Sequence, residues 1–171
     1  MAERWKPNVT VAAVAGRLRG GAAGGVREYL LVEEETAEGL RLNNPAGHLD
    51  PGEAPVEAAV REALEETGCA FVPDRLLGLY LTRIRRVAAG IDVTYLRIAF
   101  AGEAGPPDPA RRLDAGIVRT IWMTVDELRA CPSRHRSHLL LRCVEDAEAG
   151  RCLPLDAIYT DPTVLAPGGT P

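Results

Sequence analysis

The chain has 171 residues, 46% of them hydrophobic and 26% charged, with a formal net charge of −4; that is enough for one domain with a buried core. The balance excludes a broad basic surface for a nucleic-acid duplex. The start, MAERWKPNVT, lacks the apolar run of a signal peptide, and no stretch is long and apolar enough to cross a bilayer. Cys69, Cys131, Cys143 and Cys152 show no C-x-x-C spacing and read as reduced, mostly buried thiols of a cytosolic protein.

In chain order, residues 9–15 alternate and read as a strand, led in by Trp5, Lys6 and Pro7. The glycine-rich run 20–25 reads as a flexible hairpin loop; the Lys-Ser or Lys-Thr that would mark a phosphate cradle does not follow it. Residues 29–33 are the expected returning strand. Glu33, Glu34 and Glu35 are its expected exposed end, with Glu34 the one that could line a pocket. Residues 40–44 form a short strand into Pro45-Ala46-Gly47, and Asp50-Pro51-Gly52 turns the chain. His48 is either a substrate contact or a solvated loop residue.

A helix follows. Pro55 suits its first position, Gly68 suits a left-handed stop, and Val56, Ala59, Val60, Ala63, Leu64 and Thr67 make an apolar stripe. Glu62, Glu65 and Glu66 share a neighbouring face, where three carboxylates repel one another. A bound divalent cation would offset that repulsion.

Residues 71–74 are expected to be a linker, 76–86 a strand, Gly90 a turn and 91–101 the antiparallel partner. Arg83 and Arg85 alternate onto one strand face and Arg86 onto the other; a phosphate contact and a plain exposed face are equally open readings. Residues 102–112 read as a loop with Pro106, Pro107 and Pro109, and 117–123 as a strand carrying Trp122. Thr124 and Glu127 make a capping box for a short helix to Ala130. The last helix is predicted to open at Ser133 or Arg134, to bury Leu139, Leu140, Cys143, Val144 and Ala147, and to stop at Gly150. Arg134, His135, Arg136 and His138 would then crowd its first turn, unfavourably for the helix dipole unless an anion binds there. Leu153-Pro154-Leu155 is expected to close on the sheet. The tail 161–171, with Pro162, Pro167, Gly168, Gly169 and Pro171, is expected to be disordered, leaving 1–160 as a single domain. Helices that do not alternate strictly with strands predict an α+β class or a mixed α/β/α sandwich.

Residues 47–69, GHLDPGEAPVEAAVREALEETGC, resemble the signature of the Nudix hydrolases, G-x5-E-x7-R-E-U-x-E-E-x-G-U with U aliphatic. Gly47, Glu53, Arg61, Glu62, Glu65, Glu66 and Gly68 meet every glycine and charged position. Ala63 fills one aliphatic position, and Cys69 departs from the other while remaining a small apolar residue. The alternative is a surface helix held by solvated Glu–Arg pairs.

The resemblance implies the α/β/α sandwich with a mixed sheet, and a hydrolase that puts water on phosphorus with Mg2+ or Mn2+ as cofactor. It further implies that Glu65 and Glu66 hold metal with the Gly47 carbonyl, that Glu62 is the base or a further ligand, and that Arg61 orients the carboxylates. Glu53 braces the loop or joins the metal site, and Asp114, or else Glu103, is the further ligand or base. His48, Arg83, Arg85 and Arg136 are the candidate substrate contacts.

The runs WKPNVTVAAV, YLLVEEE, NNPAGHLDPGE and RCVEDAEAGRCLPLDAI are similar to the NudJ-like phosphatase branch. That branch implies nucleoside di- and triphosphates, thiamine pyrophosphate or a hydroxymethylpyrimidine diphosphate as substrate. The SQPWPFPxS run of the NADH branch is not found, and Arg85 stands where dinucleoside polyphosphate hydrolases carry a tyrosine. The other open readings are ADP-ribose or damaged nucleotides as substrate, and a Nudix module that binds without turnover. The expected partners are a small phosphorylated metabolite and, as is common in the family, a second copy of the chain as homodimer; no membrane or nucleic-acid duplex is expected.

Overall fold

Strand β1 (Asn8–Arg19) sits at the centre of the molecule and explains its plan. Its run Val11 to Ala15 is apolar at every position because both faces are covered. Val11, Ala13 and Ala15 point into one core with Ala58, Ala59 and Ala63, whereas Ala12 and Val14 point into a second core with Leu140, Cys143 and Val144. The computed structural model describes residues 4–20, 25–86 and 90–165.

β2 (Val26–Thr36) pairs antiparallel with the second half of β1, from Gly16 opposite Tyr29 to Arg19 opposite Val26, so the two form a hairpin; residues 21–24 of its loop lie outside the described residues. β3 (Gly39–Asn43) pairs with β2, and the short β4 (Ala46–His48) pairs with the first half of β1. Helix α1 (Pro55–Thr67) leads to β5 (Cys69–Arg86) and β6 (Ile91–Pro107), a long antiparallel pair; β6 also runs parallel to β1, from Asn8 opposite Tyr95 to Ala15 opposite Gly102. β7 (Ile117–Met123) pairs with β2. The result is a mixed seven-stranded sheet with the path β3-β2-β1-β6-β5 and β4 and β7 beside it. Helices α2 (Val125–Arg129) and α3 (His138–Glu148) follow, α3 packing on the face opposite α1. This is the expected α/β/α sandwich of an α+β protein. No helix among the described residues is long and apolar enough to cross a membrane. All four cysteines are free thiols, Cys69 and Cys143 buried and Cys152 exposed.

Several boundaries differ from those expected. Residues 71–74 are strand, not linker: β5 ends the strand path, and it accommodates Pro73 beside a register shift between Pro73 and Arg75. Residues 102–107 are likewise strand: a Cβ on Gly102 would overlap the backbone of Val72, so glycine lets the two strands stay paired. Helix α3 starts later than expected. Arg134 ends a short 3-10 turn (Pro132–Arg134), the Arg136 N–H donates to the Leu42 carbonyl at 2.8 Å, and Ser137 then caps the helix by accepting from the Leu139 N–H. That tie to β3 holds the chain extended before the helix, so of the four cationic candidates only His138 lies in its first turn. Leu153 closes on Leu76 with two backbone bonds of 2.9 Å, as expected. The chain from Pro162 makes an exposed helical turn, α4 (Pro162–Leu165); Pro167, Gly168, Gly169 and Pro171 lie outside the described residues.

Candidate active site

Helix α1 is held at both ends. Pro55 takes the first position, the Ala54 N–H donates to Glu57 at 3.1 Å, and Gly68, at φ 69°, donates its N–H to the Leu64 carbonyl. The helix buries Ala58, Ala59 and Ala63 against β1, which turns Arg61, Glu62, Glu65 and Glu66 towards β4. A Cβ on Gly47 would lie inside the Glu62 carboxylate. Glycine is therefore required there by close approach and not by an unusual φ.

Arg61 organises the acidic face. Its Nε and NH2 donate to the two oxygens of Glu53 at 3.0 and 2.8 Å, and its NH1 donates to Glu62 at 2.8 Å and Glu65 at 3.0 Å. NH2 also donates to the His48 carbonyl at 3.1 Å, which ties the turn to the helix. Glu53 accepts the Asp50 N–H at 2.7 Å as well. The Arg61 pair, helped by that amide, holds the Glu53 carboxyl below the usual range, and Glu53 in turn raises the basicity of Arg61.

Glu62 and Glu66 are different. Burial pushes Glu62 up against the pull of Arg61, with the charges of Glu65 and Asp114 adding to it. Burial pushes Glu66 up to about 8; the Ala46 N–H, donating at 2.8 Å, opposes this, and Glu62, Glu34 and Asp114 add to it. One guanidinium thus serves Glu53, Glu62 and Glu65, and Glu66 has only an amide. Among the described residues no three His, Cys, Asp or Glu side chains already converge on an ion-sized point, since Arg61 holds the oxygens of Glu62 and Glu65. The donor set nevertheless fits a hard divalent cation: all its side-chain atoms are carboxylate oxygens, and burial disfavours the charge on two of the carboxyls, which a cation would offset.

Asp114 joins this face. Its N–H donates to the Glu65 carbonyl at 3.1 Å, and its charge bears on both Glu62 and Glu66. Glu103, the alternative, is exposed on β6 opposite Val72.

A cavity of about 190 Å3 adjoins the acidic face and shares Ala46, Gly47 and His48 with it. Its floor is the sheet, with Thr10, Glu34, Asn43, Thr82, Ile84, Tyr95 and Arg97; Arg136, Ser137 and Leu139 close it from the start of α3. His48 is exposed at its edge, 6.4 Å from the Tyr95 ring. Arg136 lines it too, its Nε 3.5 Å from Glu34. Arg83 and Arg85 are not brought to it. Strand alternation sends Thr82 and Ile84 to the cavity, while Arg83 forks onto Asp92 at 2.6 Å on the exposed side, with Arg85 4.0 Å from the same carboxylate.

The exposed strand end expected at 33–35 is corrected at Glu33, whereas Glu35 is exposed and Glu34 lines the cavity. Glu33 is 5% exposed and receives Arg119 at 2.7 Å and Arg134 at 2.6 Å, so Arg134 has its anion within the protein. The argument from crowded cations at a helix start therefore falls for Arg134, whereas Arg136 reaches the cavity for another reason. Sequence reading missed Arg97, Asn43, Thr82 and Tyr95. A signal existed for Arg97: it is the one charge inside the apolar run YLRIAF.

Comparison with known proteins agrees with this geometry. The profile of the NUDIX domain matches residues 9–142. The phosphatase NudJ of Escherichia coli K12 is 35% identical over 155 residues, which is 90% of this chain and 92% of that protein; NudJ of Shigella flexneri matches to the same extent. A solved NUDIX hydrolase from Nitrosomonas europaea superposes with a TM-score of 0.77 at 44% identity, over 91% of this chain and 98% of that one.

Proposed function

The chain belongs to the NUDIX hydrolase family, and from that premise we propose that it is a divalent-metal-dependent hydrolase of linear phosphoanhydrides, nucleoside di- and triphosphates or thiamine-related diphosphates. The observation that carries the reading is the single face on which Arg61 holds Glu53, Glu62 and Glu65 beside Glu66 and Gly47. The 35% identity to phosphatase NudJ supports the substrate class.

Glu65 and Glu66, with the Gly47 carbonyl, would hold Mg2+ or Mn2+, and Asp114 stands near enough in charge to assist. Bound there, the ion supplies charge screening for the polyphosphate and a more acidic water. The chain's own residues do the rest. Arg61 fixes the carboxylates through paired hydrogen bonds, and Glu53 fixes Arg61 and the turn at Asp50. Glu62, which Arg61 holds at 2.8 Å beside the proposed metal ligands, accepts the proton of the attacking water. Arg136 and His48, at the cavity edge, steady the substrate.

The test is a phosphate-release screen, with magnesium and with excess EDTA, across nucleoside di- and triphosphates, thiamine diphosphate and ADP-ribose. Turnover is expected only with the cation. Full activity in EDTA overturns the metal-dependent reading, and a large preference for ADP-ribose overturns the substrate class.

A further inference from the structure

The cavity beside the acidic face contains polar atoms that the protein leaves unpaired. Arg97 is 8% exposed, yet its Nε and NH1 have no hydrogen-bond partner; Oε1 of Glu34 and Oδ1 of Asn43 are buried without one as well. Arg97 rises from the middle of the sheet, between Tyr80 on β5 and Thr10 on β1. Buried polar groups are normally satisfied, and an unpaired one is costly. The neighbouring Glu33 shows how this chain treats a carboxylate that is only structural: it is buried and takes two arginine nitrogens at 2.7 and 2.6 Å. Glu34, one residue on, faces the cavity with Arg136 Nε no nearer than 3.5 Å.

We propose that this cavity seats the organic part of the substrate, a flat nitrogen heterocycle with a hydrogen-bond donor beside an acceptor on one edge, Arg97 donating to the ring nitrogen and Glu34 accepting from the amino N–H beside it. The proposal rests on the phosphoanhydride-hydrolase reading above and names the recognition half of that site. Three observations select this occupant. A phosphate offers acceptors only, which would serve Arg97 and leave Oε1 of Glu34 and Oδ1 of Asn43 unpaired. Arg97 and Arg136 line the cavity together with Glu34, so it presents donors and an acceptor side by side, which suits a ligand edge that carries both. At about 190 Å3 the cavity is smaller than the roughly 300–1,000 Å3 usual for drug-sized ligands, so it takes one ring and not a whole nucleoside. Ile84 and Tyr95 supply apolar surface for the ring faces. Because Ala46 and Gly47 are common to both halves, a ring seated here directs its phosphate chain to Glu62 and Glu66.

The experiment compares kcat/KM for CTP, ATP and inorganic tripolyphosphate, with magnesium, in the wild type, Glu34→Gln and Ile84→Phe. The second variant narrows the cavity from its half-buried apolar side, so the test survives if the first folds poorly. The ratio of CTP to tripolyphosphate should fall about tenfold or more in Glu34→Gln, the value of a hydrogen bond to a charged group; it should also fall in Ile84→Phe, where the ring loses space, and wild type should favour CTP over ATP. Calorimetric binding of an α,β-methylene analogue of CTP, against methylenediphosphonate, should show the same loss. An unchanged ratio, or equal losses with and without the ring, overturns the assignment. Should the wild type hydrolyse none of the three, the proposed function fails by itself, and the binding ratio still decides whether the cavity reads a ring.

Discussion

Replacing Gly47 with alanine tests the link between backbone and chemistry most directly. The added methyl would lie within contact distance of all three terminal atoms of the Glu62 side chain, so the carboxylate must move. Glu62 is also tied to Arg61 at 2.8 Å, so its displacement disturbs the hub that holds Glu53 and Glu65. A displacement of about 1 Å near reacting atoms costs on the order of a hundredfold in rate. Stability should change much less. Overpacking costs roughly 1–3 kcal/mol, and the stiffer unfolded chain returns about 0.4–1 kcal/mol because Gly47 has no positive φ. At ~2–4 °C per kcal/mol for a chain of this size, the melting point should fall by no more than about 10 °C. Gly90→Ala is the control: φ is 65° and nothing lies within 4 Å of a Cβ there, so it strains the backbone and spares the site. Phosphate release and thermal melting, measured on both variants, separate the two effects. If Gly47→Ala turns over within threefold of wild type, the position of the Glu62 carboxylate does not govern the reaction and the assignment of Glu62 fails.

Glu66→Gln keeps the acceptor for the Ala46 N–H and removes the carboxylate that would ligate the metal, so turnover should drop by about two to four decades while the melting point without metal stays about level near neutral pH, where burial already keeps Glu66 largely protonated; near-normal turnover with early melting would make Glu66 structural. The same group predicts a pH effect. Its pKa is about 8 when folded, against roughly 4.3 unfolded, so the folded state holds an extra proton between those values; its contribution is complete below the unfolded pKa and is lost as pH rises through the folded one. In EDTA the melting point should therefore decline from pH 5 to pH 8, and Glu66→Gln should flatten the slope; an identical slope in both proteins contradicts this. Removing both Arg119 and Arg134 leaves Glu33 buried and unpaired, which should cost about 3–5 kcal/mol in urea unfolding; a loss below ~1 kcal/mol would mean the pairs contribute little. Arg136→Ala should raise KM with kcat nearly constant, and unchanged values for both would return Arg136 to plain surface.

The acidic face was legible because its logic is local. Glu53, Arg61, Glu62, Glu65 and Glu66 lie within one turn and one helix, and spacing alone puts them together. The cavity was not legible because its lining comes from β1 to β6 and the start of α3, and no short-range pattern relates Arg97 to Glu34. Glu34 was named as a pocket candidate, but its neighbour Glu33 was expected in solvent; the partners that bury it, Arg119 and Arg134, are 86 and 101 residues away. Strand lengths were misjudged at Pro73 and Pro106–Pro107, where register shifts and strand ends accommodate residues that usually interrupt a ladder. The start of α3 was misplaced because the decisive contact, Arg136 N–H to Leu42, is long-range.

The parallel pairing of β1 with β6 has a consequence for the ribosome. The strand made first receives its parallel neighbour only when residues 95–102 have emerged, and the cover of its second face is complete only with α3, which ends at Glu148. Until then Ala12 and Val14 present apolar surface in a nascent chain, with only α1 available for the other side. Such non-local closure slows folding and lengthens exposure to aggregation. Chains cut short before α3 should thus depend on chaperones, although every residue of the acidic face is already present.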